Sequence, residues 1–446
     1  MVDGSERNEV AVAESNDVDR LSELPDSLIF TIFSLLESRD VVSTTFLSKR
    51  WKNRWATVPC LAFRNNLPRF IYGALTQWRG PNFLKLTIAF TNFLPRANDL
   101  NSWLLFAIAK QVEELSIHLG LLRIGASATP YSPPQRFYSC SSFRKLSLSH
   151  LRLQIEGNNV QWGQLKSLTI VGSNSLSAYA INRILCGAPR LEELNLCIRE
   201  IGGRFTIQST SLKTLCIGRQ DDCFEIVEVY LGSILVIDAP NLSSLVILSR
   251  CYGRCLLNVP SLSNAVLSFF WCGDDMDPSD LSRIQMFNRV FQSVRHVESL
   301  TLSNWCIKFL LFMKMNDVLV EFPNVKSLHL FPDEPADEML DVLEMCPMLM
   351  FFTAQLQCAQ KGDSFASTRN ATLVSLKRVE IRWSVNDASV FRVIETILEN
   401  AYMLEKMVLR VRGTGVDGGE PLILAHEKVL RMPRSSPTVE VIIIQD

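Results

Sequence analysis

"LKSLTI", residues 165–170, decides how this chain folds. Apolar side chains stand at its first, fourth and sixth positions, with polar residues between them. Its second half alternates as a half-buried strand does, because successive side chains of a strand point to opposite faces. The template recurs outward in both directions. Before it stand "FRKLSL" (143–148), "VEELSI" (112–117) and "FLKLTI" (83–88). After it come "LEELNL" (191–196), "LKTLCI" (212–217), "LSSLVI" (242–247), "LSNAVL" (262–267), "VESLTL" (297–302) and "VKSLHL" (325–330). The series ends with "LMFFTA" (349–354), "LKRVEI" (376–381), "LEKMVL" (404–409) and "VEVIII" (439–444).

These are fourteen copies, 20 to 35 residues apart, and the period is near that of a leucine-rich repeat. Several are preceded by "AP", "VP", "FP" or "CP", turns that deliver the chain into a strand. Segments between them, such as "SLSAYAINRILCGAP" with Ile181, Ile184 and Leu185 on one face, have helical periodicity. The expected class is therefore α/β: a parallel sheet lining a curved solenoid, with helices outside. Each unit needs its neighbours to cover its apolar face. Leu151, Ser173, Arg199 and Gln220 occupy the ninth position in four units, so no regular asparagine ladder is expected.

Composition narrows the functional classes. Of 446 residues 47% are hydrophobic, enough for a large core, and 45 basic residues balance 46 acidic ones. A net charge of −1 provides no global attraction to nucleic acid or anionic lipid. Residues 1–19 are polar and acidic and are expected to form a disordered tail, without the apolar core of a signal peptide. No apolar run is long enough to span a membrane. Twelve cysteines lie scattered in strand patterns, as reduced thiols of a cytoplasmic or nuclear protein would. The sequons at Asn241 and Asn370 then carry no glycan.

One segment departs from the repeat. "LPDSLIFTIFSLLESRDVVSTTFLSKRWKNRW", residues 24–55, crowds large apolar side chains into a span too short to bury them all. Pro25 and Asp26 suit a helix start, and Leu28, Ile32, Leu35 and Leu36 recur at helical spacing. Ser38 is a candidate cap for a second helix bearing Val41, Val42, Thr45 and Phe46, and a third short helix would hold Trp51 and Trp55.

Residues 19–63 closely resemble the F-box of plant F-box/leucine-rich-repeat proteins, in the Leu24-Pro25 start, "IFSLL", "RDVVSTT", "LSKRWKNRW" and the "VPCLAF" exit. Glu37 replaces the proline usual between the first two helices. Residues 373–409 resemble the FBD region that often ends such proteins. With the acidic tail over 1–19 and the repeats over 64–372 read above, the resemblance divides the rest into an F-box over 20–63 and FBD-like repeats over 373–446. It also implies a non-catalytic substrate receptor of an SCF-type ubiquitin ligase. In that family the F-box binds a Skp1-like adaptor, which bridges to a cullin and a RING subunit, and the repeats hold the target. Carried onto this chain, the adaptor contact falls on Leu24, Pro25, Leu28, Ile32, Leu35, Val41, Val42, Trp51 and Trp55. Internal packing is the competing explanation for each of them. The basic run Lys49, Arg50, Lys52 and Arg54 could steer toward an acidic adaptor or simply face solvent. The alternative function is a leucine-rich-repeat interaction scaffold without degradation.

Other chemistries find little support. "GTGVDG", Gly413–Gly418, has dinucleotide spacing but follows no first strand of a doubly wound domain. Cys251 and Cys255 lack a second pair for zinc, and no nucleophile motif is present. No cofactor, metal, nucleic acid or membrane is expected. If the fourth and sixth template positions face the core, the third, fifth and seventh line the concave face. These positions become aromatic and charged toward the C-terminus, and His329, Phe331, Phe351, Arg382 and Arg410 are the candidate target contacts.

Overall fold

A computed structural model describes residues 21, 23–47, 50–91, 93–120, 131–155, 157–173, 176–198, 200–201, 203–218, 227–229, 233–251, 254–269, 281–331, 338–356, 373–384, 389–412 and 426–445. The "GTGVDG" loop and the N-terminal tail lie outside them.

All fourteen templates form strands, from Lys85–Phe90 to Glu440–Gln445. In the first thirteen the first, fourth and sixth positions point into the core as the pattern requires; in the last, the strand is shifted by one, so that Val441 and Ile443 lie opposite the core residues Met407 and Leu409 while Ile444 is exposed. Phe83, Leu86 and Ile88, then Leu165, Leu168 and Ile170, then Leu376, Val379 and Ile381, are all 0–2% exposed. Neighbouring strands pair in parallel with equivalent positions opposite each other: Leu86 with Leu115, Leu168 with Leu194, Val379 with Met407. Full burial of each such side chain favours folding by about 1.5–3 kcal/mol, and only the next repeat supplies that burial.

A fifteenth strand precedes the series. Cys60–Arg64 pairs in parallel with Lys85–Phe90, Leu61 opposite Leu86 and Phe63 opposite Ile88. Its sequence "VPCLAF" fits the repeat template, with Val58, Leu61 and Phe63 buried. Residues read as the exit of the N-terminal unit thus open the repeat sheet, and a limit drawn at residue 63 falls inside this strand. Two short strands, Glu200–Ile201 and Val227–Val229, pair with each other, and the second also pairs with Ser244–Cys251. The sheet so formed has 17 strands among the described residues.

The dipeptide turns have a common geometry. The N–H groups of Leu191, Leu242, Leu262, Val325 and Leu349 donate to the carbonyls of Ala188, Ala239, Val259, Phe322 and Cys346. Each is an i to i+3 turn with proline second, where its fixed φ is favourable. Along the strand starts, exposed pairs alternate in sign, for example Arg144–Glu113, Lys213–Glu192 and Lys326–Glu298. Exposed pairs contribute at most about 1 kcal/mol each, so they favour register more than stability.

The outer layer differs from expectation in its middle. Helices Pro68–Gln77, Ala97–Ala109, Ala178–Gly187, Leu281–Val294, Asn304–Met315 and Ser389–Asn400 are present, Ala178–Gly187 where its periodicity placed it, with Ile181 and Ile184 facing inward. Between them, however, Arg204–Gln208, Ile234–Asp238 and Arg254–Asn258 form a second, three-stranded parallel sheet. The 20-residue step from 242 to 262 is too short for a helix, an inner strand and two turns. "RFTIQ" and "ILVID" alternate as strands do, burying Phe205, Ile207, Leu235 and Ile237. Gln208 and Asn258 both donate to Asp238, tying the three strand ends together.

Candidate functional site

The N-terminal unit is built around one amphipathic helix. Asp26–Leu35 starts after Pro25, whose carbonyl accepts the N–H groups of Leu28 and Ile29. Ile29 and Phe33, one turn apart, are buried. On the opposite side Leu28 is 49% and Leu35 is 83% exposed, with half-buried Ile32 between them. Helix Ser38–Ser43 turns Val41 inward and leaves Val42 half-buried. It runs into a 3₁₀ turn, Thr44–Phe46, that throws Phe46 into solvent at 92% exposure, beside Leu47 at 54%. Pro25 is exposed and Leu24 half-buried.

Three residues assigned to docking do other work. Trp51 is 2% exposed, its indole N–H donates to the Leu21 carbonyl at 3.1 Å, and its ring meets Phe33 edge-on with centroids 5.5 Å apart. Trp55 and Val41 are buried in the same core. These three hold the helices together, because a 3₁₀ segment over Trp51–Thr57 presents both indoles inward. Arg50 and Arg54 both pair with Asp26, at 3.1 and 2.7 Å, so that part of the basic run ties the helix start to the last turn. Lys49 lies outside the described residues. Ser38 is not a helix cap: its buried hydroxyl accepts the Ala62 N–H at 2.7 Å. That bond satisfies an amide on the outer edge of the first strand, so the helical unit closes this end of the sheet. Phe46 and Leu47 escape the sequence reading because helical spacing places Phe46 with Val42. Only the switch to a 3₁₀ turn redirects it.

The C-terminal candidates separate into two groups. His329, Thr353 and Glu380 are consecutive register partners along one row of the concave face. Arg382 and Arg410 are register partners on the next row of that face, and half-buried Phe331 stands at the same template position two strands earlier. Two guanidinium groups side by side repel unless an anion joins them, and Glu380 does so. Arg410 donates to its Oε1 at 2.8 Å, and Arg382 donates twice to the same oxygen, at 3.2 and 3.0 Å. Partial burial works to raise the Glu380 carboxyl, but the bonds from Arg410 and Arg382 outweigh it and hold the group below its ordinary range. Burial pushes the His329 imidazole down, against the pull of Glu380. The two arginines are therefore paired through one shared carboxylate, leaving a single net positive charge in place of the two that the sequence suggests. Phe351 stands apart at the strand start, 45% exposed, roughly 13 Å along the strand from the arginine row.

Among the described residues no group of three or more potential metal ligands converges, and no helix is long and apolar enough to cross a membrane.

Comparison with known proteins agrees with this architecture. The family model for the F-box domain matches residues 21–62. The model described as "FBD-associated F-box protein At5g56370, LRR repeats" matches residues 100–261. An F-box/FBD/LRR-repeat protein of Arabidopsis thaliana is 26% identical over 446 residues, covering 95% of this chain and 97% of the relative. An FBD-associated F-box protein of the same plant is 26% identical over 453 residues, covering 95% and 94%. A further F-box/FBD/LRR-repeat protein from it is 24% identical over 473 residues, covering 99% and 100%. The resemblance read from residues 19–63 and from the repeats is thus supported along the chain.

Proposed function

We propose that this chain, an F-box and leucine-rich-repeat protein by its similarity to those plant relatives, is the target receptor of an SCF-type ubiquitin ligase. An F-box implies a Skp1-like adaptor in general, and F-box proteins of this kind are typically non-catalytic. The observation that carries the proposal is the exposure of four large apolar side chains, Leu28, Leu35, Phe46 and Leu47, on a small unit whose core forms without them. Exposed apolar side chains that their own fold does not use are suited to a partner. On this reading Leu28, Ile32 and Leu35 meet the adaptor together with Phe46 and Leu47. The repeats then hold the target near the conjugating subunits, raising its effective concentration. His329, Phe331, Phe351, Arg382 and Arg410 are the proposed contacts on the concave face.

The test is co-purification of the full chain with a Skp1-like adaptor, wild type beside Leu28→Asp/Leu35→Asp. A stable wild-type complex and none with the variant supports docking, and a variant complex of equal yield refutes it. Phe331→Ala/Arg382→Ala should keep the adaptor while losing the target. Lengthened target half-life on depletion of this chain distinguishes a degradative receptor from a scaffold.

A further inference from the structure

Most repeats from Leu165 onward enter their strand through the same turn, whose two central residues sit at the rim of the sheet. In four repeats these are proline followed by a polar or charged residue: Pro189-Arg190, Pro240-Asn241, Pro260-Ser261 and Pro323-Asn324. The three repeats after them keep the turn, with Leu349, Leu376 and Leu404 donating to the carbonyls of Cys346, Leu373 and Ala401. Their central residues, however, are Pro347-Met348, Val374-Ser375 and Tyr402-Met403. Met348, Val374, Tyr402 and Met403 are 54%, 57%, 64% and 54% exposed. Neither the turn nor the core requires apolar side chains there.

These tips lie next to one another. Met350 and Phe351 donate backbone N–H groups to Lys326, Lys377 and Arg378 donate to Met350, and Glu405 and Lys406 donate to Lys377. The three turns are therefore stacked at strand spacing, about 4.8 Å apart. Phe351 faces out beside them, and its register partner is exposed Arg378. The lysines around Arg378 are neutralised, Lys377 by Glu405 and Lys406 by Glu440. The Arg378 guanidinium has no ion pair or hydrogen bond among the described residues. Met and Tyr beside an arginine lacking a carboxylate is the composition of a contact surface, with methionine able to adapt its shape.

We infer that Met348, Val374, Tyr402, Met403, Phe351 and Arg378 form a docking surface for a target segment carrying apolar side chains next to an acidic one. The acidic group is specified by the charge of Arg378, the apolar ones by the turn tips. The inference rests on the reading that the repeats hold a target, and it extends the contact from the concave face around Phe351 to the rim.

The experiment uses the full chain bound to its adaptor, with a displayed library of random twelve-residue peptides as probe. Selected peptides are resynthesised and titrated by fluorescence anisotropy. Wild type should select peptides pairing aromatic or aliphatic residues with Asp or Glu. Met348→Ser/Tyr402→Ser/Met403→Ser should bind them at least tenfold more weakly, and Arg378→Glu should select Lys or Arg in place of the acid. No selection, or equal binding by both variants, overturns the inference. So does sedimentation showing a wild-type dimer that the triple variant abolishes, since a second copy would then be the occupant. All variants should retain the adaptor. Loss of the wild-type adaptor complex would instead refute the receptor reading, so the two failures are told apart.

Discussion

Alanine at Leu35, Phe46 and Trp51 separates docking from folding. Leu35 and Phe46 are 83% and 92% exposed, whereas Trp51 is 2% exposed. Full burial of a Leu or Phe is worth about 1.5–3 kcal/mol, and alanine keeps its β-carbon. If the adaptor covers both outward residues, each truncation should weaken binding by about 1–2 kcal/mol. The double variant then loses about 2–4 kcal/mol, roughly 30- to 700-fold in Kd. Neither change should alter stability by more than about 0.5 kcal/mol, because no core contact is removed. Trp51→Ala deletes a core indole packed on Phe33 and should cost about 3–5 kcal/mol, enough to unfold the small N-terminal unit. Calorimetric titration of purified adaptor gives the affinities. Hydrogen exchange over residues 26–57 reports whether the helices persist. The reasoning is refuted if Leu35→Ala/Phe46→Ala binds as wild type does. It is equally refuted if that variant loses amide protection, or if Trp51→Ala keeps protection unchanged.

Three other outcomes follow from the repeats. Glu380→Gln should destabilise the C-terminal repeats by about 1–2 kcal/mol at pH 7, because Arg382 and Arg410 lose their shared anion. The folded carboxyl is held low, so its stabilisation is complete above its ordinary value of 4.5 and fades as the pH falls below that; urea melts of both proteins from pH 7 down to pH 3 should converge. Gly218 has φ +103° and a side chain there would meet the Leu248 carbonyl, so Gly218→Ala should cost about 1–3 kcal/mol in the same melts. Burial pushes the Cys306 and Cys346 thiols up to about 12, so alkylation at pH 8 followed by peptide mapping should label exposed Cys186 and leave those two unmodified.

Much of this architecture is legible in the sequence because it is periodic. Leu165, Leu168 and Ile170 announce a strand and its buried face by spacing alone, and fourteen copies of that spacing announce a parallel stack. The first strand was legible by the same rule, since "VPCLAF" carries the template, but its place beside the helical unit masked it. What spacing cannot convey is which neighbour covers which face. Leu35 and Trp51 are both large and apolar, and only the packing of helix Asp26–Leu35 on the 3₁₀ segment Trp51–Thr57 buries one and exposes the other. Charge has the same limit. Arg382 and Arg410 are 28 residues apart in the chain and become neighbours only through strand register, which also brings Glu380 between them. Local patterning of this sequence therefore determined most of its inner strands, their order and their core faces, because backbone periodicity is a short-range property. Tertiary structure decided which residues remain outside to meet a partner, because exposure and charge neutralisation are set by residues distant in the chain.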